Sequence, residues 1–299
     1  MTLGEIIKLI WRQILATREL KEMFFHGKSE LIENKIFDRL FRIGYKSGVE
    51  ILYFSTENKK IYLKTKDQII VSTDYNYNML IEVLLTKIYT LPPQIIDHEF
   101  YVFDIGMNRG YSCLYFAQIE NCKKVFGFEL DEKPYSWALE NFALNNQLNE
   151  KIEHFNFGLW NDNKEIEICS YKDDYCNKIM SNSVKNENDK IHRNFSIKKA
   201  NVKKASDVVF QIFESIEQAP MKIMKIDIEG AEYEVLRDLF ENKLIDKFDI
   251  IISECHNGMD ELYNYLPDFE ISYQKACTQK RVEFCFINKK SMLSKSHNS

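Results

Sequence analysis

The chain has 299 residues, of which 45% are hydrophobic, and this is enough apolar surface for one large domain or for a domain with an appendage. Its formal net charge of −5 argues against a general binder of nucleic acids or anionic membranes, since such binding needs a surplus of basic residues. Seven scattered cysteines without a CxxC pair favour reduced thiols over disulfides or zinc, so we predict a cytoplasmic protein.

Residues 3–25 carry apolar residues at helical spacing with basic residues among them, which predicts an amphipathic helix. We interpret it as a helix that packs against the protein or against a second copy in a homodimer, and an interfacial membrane anchor is the alternative. The sequence has no apolar run of the ~18 to 20 residues that a membrane-spanning helix needs. Glu5 also interrupts the start too early for a secretory signal. We therefore predict no transmembrane segment and no export.

The sequence of residues 49–91 predicts short strands followed by a helix. Residues 49–72 read as three β-rich segments separated by polar turn formers. Residues 78–91 read as a helix that ends at Pro92. Residues 1–95 are therefore predicted to form a helical and β-hairpin appendage, in which we identify no catalytic chemistry.

From residue 100 onward, predicted strands and helices alternate along the chain. The predicted strands are residues 99–106, 124–130, 152–160, 221–228 and 248–255, with a closing pair at 269–276 and 282–289. The predicted helices run to about residue 119, over 134–146 and over 231–242. This alternation implies a parallel sheet with helices on both faces. Residues 96–290 are therefore predicted to form an α/β domain.

One segment, residues 178–204, is strongly basic: it has eight Lys or Arg residues against Glu187 and Asp189. Such a segment is typical of a solvated loop. Because it interrupts the α/β alternation, the second interpretation is a mobile basic lid over an anionic substrate.

The stretch "FDIGMNRGYS" follows the first predicted strand of the α/β domain. In an open parallel sheet, ligands bind at the carboxyl ends of the strands, where a strand turns into its helix. Gly106 allows a tight turn, Gly110 allows close approach of a ligand or helix, and Asp104 offers an acceptor to a cationic or hydroxyl-bearing group. The GxGxxG spacing of nicotinamide dinucleotide sites is missing, so an NAD-dependent oxidoreductase is disfavoured.

Glu129 ends the second predicted strand of this domain, nineteen residues after Gly110. A carboxylate at this place can accept hydrogen bonds from both hydroxyls of a ribose. An adenosine joined to an amino acid would satisfy both Glu129 and Asp104. Taken together, the two carboxylates predict S-adenosylmethionine as the cofactor.

Four motifs, "FDIGMNRGYS", "FGFEL", "KIDIEGAEYEVL" and "ISECH", resemble the ordered motifs of the FkbM family of S-adenosylmethionine-dependent methyltransferases, over about residues 100–256. The resemblance implies a Rossmann-like sheet of seven strands with an antiparallel last strand. It also implies O-methylation of a sugar or another hydroxyl-bearing metabolite. The basic segment 178–204 favours an anionic acceptor among these, such as a nucleotide-linked or surface-glycan sugar. The cofactor contacts that the resemblance implies are Asp104, Gly106, Asn108, Gly110 and Glu129. Phe157 and Gly158 occupy the positions at which proteins of this fold usually contact adenine.

Methyl transfer to a hydroxyl needs a group that takes the proton of the acceptor oxygen. Asp227 and Glu229 lie at the end of one predicted strand, and Glu254 and His256 lie at the end of another. Residues two apart in a strand point the same way. We predict His256 as the base because imidazole titrates near neutral pH, with Glu254 orienting it. Asp227 would lie near the reacting methyl group and Glu229 would bind acceptor hydroxyls.

Alternatives remain for these residues. His256 could bond a backbone carbonyl, and Glu229 with Gly230 could serve the turn into the next helix. Three carboxylates and an imidazole could also hold Mg²⁺, but we assign no metal. A catalytically silent binding module with the same fold is the alternative function. The fourth strand has no Asn or Asp followed by Pro-Pro and an aromatic residue, so we predict that nucleic acids are not the acceptor.

Overall fold

A computed structural model describes most of the chain, which divides into two compact units, Met1–Ile88 and Tyr89–Ser299. The predicted amphipathic helix at residues 3–25 lies outside the described residues. The described residues are 48–55, 60–74, 77–171, 178–179, 195–256, 258–277 and 282–291.

The described part of the first unit contains a three-stranded antiparallel sheet in the order β1-β2-β3. Its strands are β1 (Glu50–Ser55), β2 (Lys60–Lys64) and β3 (Ile70–Thr73), as the sequence predicted. Helix α1 (Asn78–Leu80) continues into a π-helical turn over Ile81–Leu85. The prediction that this helix reaches residue 91 was wrong, because Lys87 adopts a left-handed backbone conformation (φ 54°) well before Pro92.

The second unit is built on a seven-stranded sheet in the order β13-β14-β12-β11-β4-β5-β6. β14 runs in the opposite direction to the other six strands of this sheet, which confirms the predicted Rossmann-like, mostly parallel α/β fold. The strands are β4 (Phe100–Ile105), β5 (Cys122–Phe128), β6 (Ile152–Phe155), β11 (Met221–Ile226), β12 (Ile250–Cys255), β13 (Phe269–Ala276) and β14 (Val282–Asn288).

Helices cover both faces of this sheet. On one face, an aromatic cluster forms around Phe103, whose ring centroid lies 5.2 Å from that of Phe126, 5.3 Å from Phe213 and 5.1 Å from Phe248. On the other face, Cys113 packs so closely on Gly127 that a side chain there would meet its sulfur at 2.8 Å. The helices are α2 (Pro93–Ile96), α3 (Tyr111–Ala117), α4 (Glu132–Ala143), α5 (Asn146–Asn149), α6 (Ala205–Ser215) and α7 (Glu232–Glu241).

A second, four-stranded sheet in the order β7-β10-β8-β9 corrects two predictions. The predicted strand 152–160 is two strands, because the chain leaves the large sheet after β6 and enters the small one at β7. Residues 195–204 are not a loop or lid: they form β10, which pairs with β8 from Phe195↔Tyr171 to Val202↔Lys164. The strands are β7 (Gly158–Trp160), β8 (Lys164–Tyr171), β9 (Lys178–Ile179) and β10 (Phe195–Lys204).

Backbone pairing on both sides of β10, with β8 and with β7, outweighs its lysine-rich composition. Residues 180–194, the rest of the predicted lid, lie outside the described residues. Within the described ranges we find no helix with the length and apolar character of a membrane span.

Candidate active site

The carboxylate of Asp104, at the end of β4, is fully buried among protein groups. Its Oδ2 accepts hydrogen bonds from Ser112 Oγ at 2.5 Å and from Cys113 Sγ at 3.1 Å, and its Oδ1 lies 3.0 Å from Lys225 Nζ. These contacts tie β4 to α3 and to β11. The contact of Asp104 with a ligand therefore stays a prediction, since both of its oxygens face protein groups here.

Lys225 is a site residue that sequence reasoning missed. Its side chain is 3% exposed, and its Nζ donates to the carbonyl of Gly106 at 2.6 Å and lies 5.2 Å from the ring centroid of Tyr89. Burial by itself lowers the pKa of Lys225, but the charges of Asp104 and Asp227 outweigh burial and raise that pKa above its ordinary value. Lys225 thus carries a buried positive charge that fixes the turn after β4, which contains Gly106 and Gly110 and which we call the glycine turn. The sequence feature that could have identified Lys225 is a lysine within an otherwise mostly apolar strand.

The two glycines of the turn are required by the protein's own packing. Gly106 has φ +84°, and a Cβ on it would overlap the carbonyl oxygen of Asp227. Gly110 has φ +78° and precedes α3, and a Cβ on it would overlap the ring of Phe142. The turn after β4 therefore packs directly on the turn after β11.

Glu129 lies across the turn from Asn108, as expected for neighbouring strand ends. Its Oε2 accepts from the Asn108 backbone N–H at 3.0 Å and its Oε1 accepts from the Asp131 backbone N–H at 2.9 Å. Burial raises the pKa of Glu129 to about 7, although these two hydrogen bonds oppose the shift. Close to neutral pH the carboxyl group therefore exchanges between its neutral and its charged form.

Of the two residues predicted to contact adenine, Gly158 lines a pocket at the carboxyl ends of the strands. A Cβ on Gly158 would lie 3.2 Å from Leu130 Cβ, and Gly106, Leu130 and Gly158 line one small pocket. The ring of Phe157 lies beneath Lys203, whose Nζ is 4.1 Å from the ring centroid. A neighbouring polar cavity of about 460 Å³ is lined by residues that include Leu130, Asp131, Ser136, Asn156 and Lys198.

The structure brings the four predicted catalytic residues together at the ends of β11 and β12. His256 Nε2 lies 3.5 Å from Glu254 Oε1, 3.7 Å from Glu229 Oε2 and 4.0 Å from Asp227 Oδ1. A fifth group, Glu232, lies on the other side of the ring, with its Oε1 3.1 Å from His256 Nδ1. These five residues form what we call the acid–imidazole cluster.

The reason for this convergence differs from the prediction. β11 ends at Ile226, so Asp227 and Glu229 do not lie in a strand and strand alternation does not orient them. They belong to a turn in which Glu229 has φ 55° and Gly230 has φ 105°. The turn brings both carboxylates to His256, so Glu229 and Gly230 serve the turn as well as the cluster.

The acid–imidazole cluster changes the titration of its histidine. Burial by itself lowers the pKa of His256, but the hydrogen bond with Glu232 and the charges of Asp227 and Glu229 raise it to about 9. At neutral pH the ring therefore carries a proton on both nitrogens. It can take a further proton from an acceptor only after it has lost one of these.

Glu232 and Tyr89 are the other residues that sequence reasoning missed. Glu232 opens α7 with no exposed surface, and its position in the first turn of a helix was the available signal. Tyr89 donates a hydrogen bond from its hydroxyl to Asp227 Oδ2 at 2.7 Å, and no sequence pattern pointed to it. Asp227, Glu232 and His256 offer ligand atoms within 4.8 Å of one another. This set differs from the one weighed above for Mg²⁺, and we assign no metal to it.

Comparison with known proteins adds the family. No curated protein matches this chain. A solved FkbM methyltransferase from Methylobacillus flagellatus is 14% identical with a TM-score of 0.45, and the match covers 92% of this chain and 59% of that one. A protein of the NADB-Rossmann superfamily from Streptococcus agalactiae is 18% identical with a TM-score of 0.35, covering 67% and 69%. TrmK of M. capricolum, in complex with S-adenosyl-homocysteine, is 15% identical with a TM-score of 0.36, covering 66% and 65%.

The family model described as the methyltransferase FkbM domain matches residues 104–279, which is more than half of the chain. This range contains the glycine turn, Glu129 and the whole acid–imidazole cluster. The resemblance predicted from the four sequence motifs is thereby confirmed, and the chain belongs to the FkbM methyltransferase family.

Proposed function

We propose that this chain transfers a methyl group from S-adenosylmethionine to a hydroxyl of a sugar or a related metabolite. One observation carries the proposal: the acid–imidazole cluster lies directly beside the glycine turn. The backbone N–H of Asp227 donates to the carbonyl of Ile105 at 3.1 Å, and Gly106 packs on the carbonyl of Asp227. Groups suited to hold a cofactor and groups suited to handle an acceptor's proton therefore adjoin each other.

The residues at the ends of β4, β5 and β6 fit S-adenosylmethionine. The fit rests on the buried carboxyl group of Glu129, which faces Asn108, and on the pocket formed by Gly106, Leu130 and Gly158. When bound, the cofactor supplies a methyl group that is electrophilic because it is attached to a sulfonium. Glu129 would accept hydrogen bonds from the ribose hydroxyls, and Leu130 and Gly158 would flank the adenine.

Binding the amino-acid end of the cofactor is the proposed role of the glycine turn. Asp104 and Lys225 hold this turn from beneath, and Asn108 and Gly110 shape it with left-handed backbone conformations (φ 48° and 78°). Because Lys225 already compensates the charge of Asp104, a contact between Asp104 and the ammonium group stays a proposal.

The acid–imidazole cluster would remove the proton from the acceptor hydroxyl. Nε2 of His256 faces Asp227, Glu229 and Glu254, so the proton would be accepted at this nitrogen once it is neutral. Carboxylates accept hydrogen bonds but do not donate them, so Asp227 and Glu229 suit an acceptor with several hydroxyl groups. This composition supports a sugar or another polyhydroxylated metabolite.

The lysines of β10 support a neutral acceptor over the anionic one that the basic segment suggested. Lys198 Nζ lies 3.3 Å from Asp131, Lys199 Nζ lies 2.6 Å from Glu165, and Lys204 Nζ lies 3.9 Å from Asp238. The fourth, Lys203, covers the ring of Phe157. All four lysines of β10 thus face partners within the protein.

Isothermal titration of the purified full chain with S-adenosylmethionine, and with NAD as a control, tests the cofactor. Incubation with methyl-labelled S-adenosylmethionine and a panel of neutral, phosphorylated and nucleotide-activated sugars, read out by mass spectrometry, tests the acceptor. We expect binding of the first compound only and label on a neutral sugar. His256→Asn should bind the cofactor and form no product, whereas the exposed control Glu214→Gln should keep full activity. Absence of binding would overturn the proposed function.

A further inference from the structure

We propose that Glu232 is a positioning residue that holds His256 in one tautomer and orientation and, with the same oxygen, holds the turn that presents Glu229. This inference deepens the proposed function and rests on it for its catalytic meaning. The sequence alone predicts this orienting role for Glu254. The geometry assigns it to Glu232.

The two carboxylates lie on opposite sides of the imidazole ring. Glu232 Oε1 is 3.1 Å from Nδ1, within hydrogen-bond distance, whereas Glu254 Oε1 is 3.5 Å from Nε2. An ionised carboxylate only accepts, so Nδ1 must carry the hydrogen of the bond to Glu232. Nε2 is then the nitrogen left to exchange protons on the side of Asp227, Glu229 and Glu254.

The same oxygen of Glu232 also fixes the turn after β11. It accepts from the backbone N–H of Ile228 at 3.1 Å and from that of Gly230 at 3.2 Å. These two N–H groups flank Glu229, whose φ of 55° is unfavourable for a residue with a side chain. A single buried oxygen therefore sets the direction of the Glu229 carboxylate and of the His256 ring.

The charge of Glu232 links these roles to the protonation of the ring. Glu232 has no exposed surface, and its Oε2 has no hydrogen-bond partner among the described residues. A buried carboxylate needs a compensating charge, and the nearest one is the His256 imidazolium. The charged groups that face His256 are Asp227, Glu229, Glu232 and Glu254, and Tyr89 holds Asp227 from its outer side.

Nuclear magnetic resonance of the histidine ring tests the proposal without any acceptor. The full chain is labelled with ¹⁵N histidine, His256 is assigned by comparison with His256→Asn, and its titration is followed in the wild type, Glu232→Gln and Glu241→Gln. Glu241 lies at the exposed end of the same helix and is the matched control. In Glu232→Gln we expect the proton affinity of His256 to fall at least tenfold, which is one pH unit. In Glu241→Gln it should be unchanged.

Two results would overturn the proposal. One is an unchanged His256 titration in folded Glu232→Gln. The other is a neutral wild-type ring with its hydrogen on Nε2, a measurement that needs no variant and decides the matter if Glu232→Gln does not fold. Binding of S-adenosylmethionine, measured on the same samples, separates this outcome from a failure of the proposed function. A wild type that binds no cofactor contradicts the function, whereas the ring titration alone decides the role of Glu232.

Discussion

Lys225 and Asp104 face each other as direct partners on the adjacent strands β11 and β4, and their side chains form an ion pair of 3.0 Å with almost no exposed surface. The ion pair lies under the glycine turn, where Lys225 also donates to the carbonyl of Gly106. A buried charge that loses its partner is costly, so each of the two residues depends on the other.

Lys225→Met should destabilise the fold by about 3–5 kcal/mol, because it leaves the Asp104 carboxylate buried and uncompensated. Urea denaturation measures this cost. The double variant Lys225→Met/Asp104→Asn should recover part of it. Lys124→Met on the neighbouring strand removes an exposed ion pair with Glu153 and should cost less than about 1 kcal/mol. Equal costs for the two lysines would contradict the assigned importance of the buried pair.

Cofactor affinity should rise with pH through about 7, because the proposed contact with the ribose hydroxyls needs an ionised Glu129 and burial raises the pKa of Glu129 to about 7. Between pH 6 and pH 8 the ionised fraction grows about tenfold, and the Kd for S-adenosylmethionine should fall by a similar factor. Isothermal titration calorimetry at several pH values measures this. Glu129→Gln should bind weakly with little pH dependence, and a wild-type Kd that is constant over this range would count against Glu129 as the ribose contact.

The raised pKa of Glu129 also affects folding stability. A carboxyl group whose pKa is higher in the folded state contributes stability below its ordinary pKa, and this contribution is lost as pH rises toward about 7. Glu129→Gln removes this dependence. In thermal melts between pH 4.5 and 8, the wild type should therefore lose more stability than the variant as pH rises.

Activity should increase up to alkaline pH, because His256, as the proposed base, must be neutral to take the acceptor's proton and its pKa is raised to about 9. Glu229→Gln removes a negative neighbour and should move the ascending limb of kcat/KM to lower pH, while Glu214→Gln should leave it in place. An ascending limb near pH 6.5 in the wild type would contradict the raised pKa.

The protonated ring of His256 also contributes to folding stability. This contribution is complete below the ordinary pKa of histidine and is lost as pH rises through about 9.

Gly106→Ala should abolish cofactor binding and destabilise the protein, because a methyl group there overlaps the carbonyl of Asp227. Gly258→Ala is the matched control: this glycine also has a positive φ, of 100°, but a Cβ on it meets nothing within 4 Å. The control should cost only the left-handed strain of about 1–2 kcal/mol. Calorimetric titration and denaturation compare the two variants. Cofactor binding by Gly106→Ala at wild-type strength would contradict the close packing of the two turns.

Because we assign no metal, prolonged dialysis against a chelator should leave both cofactor binding and methyl transfer unchanged. Elemental analysis of the dialysed protein verifies that metal is removed. A loss of activity that Mg²⁺ or Mn²⁺ restores would instead identify Asp227, Glu232 and His256 as ligands, since their donor atoms lie within 4.8 Å of one another.

The sequence predicted the strands of the large sheet and their ligand-binding edge because buried parallel strands are continuous apolar runs, and the motifs at their ends are short and local. It missed Lys225 and Tyr89 because their partners lie far along the chain: Lys225 meets Asp104, and Tyr89 meets Asp227 138 residues later. It missed Glu232 because only the folded turn after β11 and the end of β12 bring backbone N–H groups and His256 to one of its oxygens. It missed β10 because pairing with β8, and not apolar alternation, makes that segment a strand.

The packing of Gly106 on the carbonyl of Asp227 has a consequence for engineering. In the proposed function, the loop that would receive the donor and the loop that would receive the acceptor touch each other directly through their backbones, at Gly106 and Asp227 and at the hydrogen bond from Asp227 to Ile105. Acceptor preference therefore cannot be redesigned by grafting residues 227–232 from a relative alone, and a transplant would have to carry the matching residues 104–110 with it.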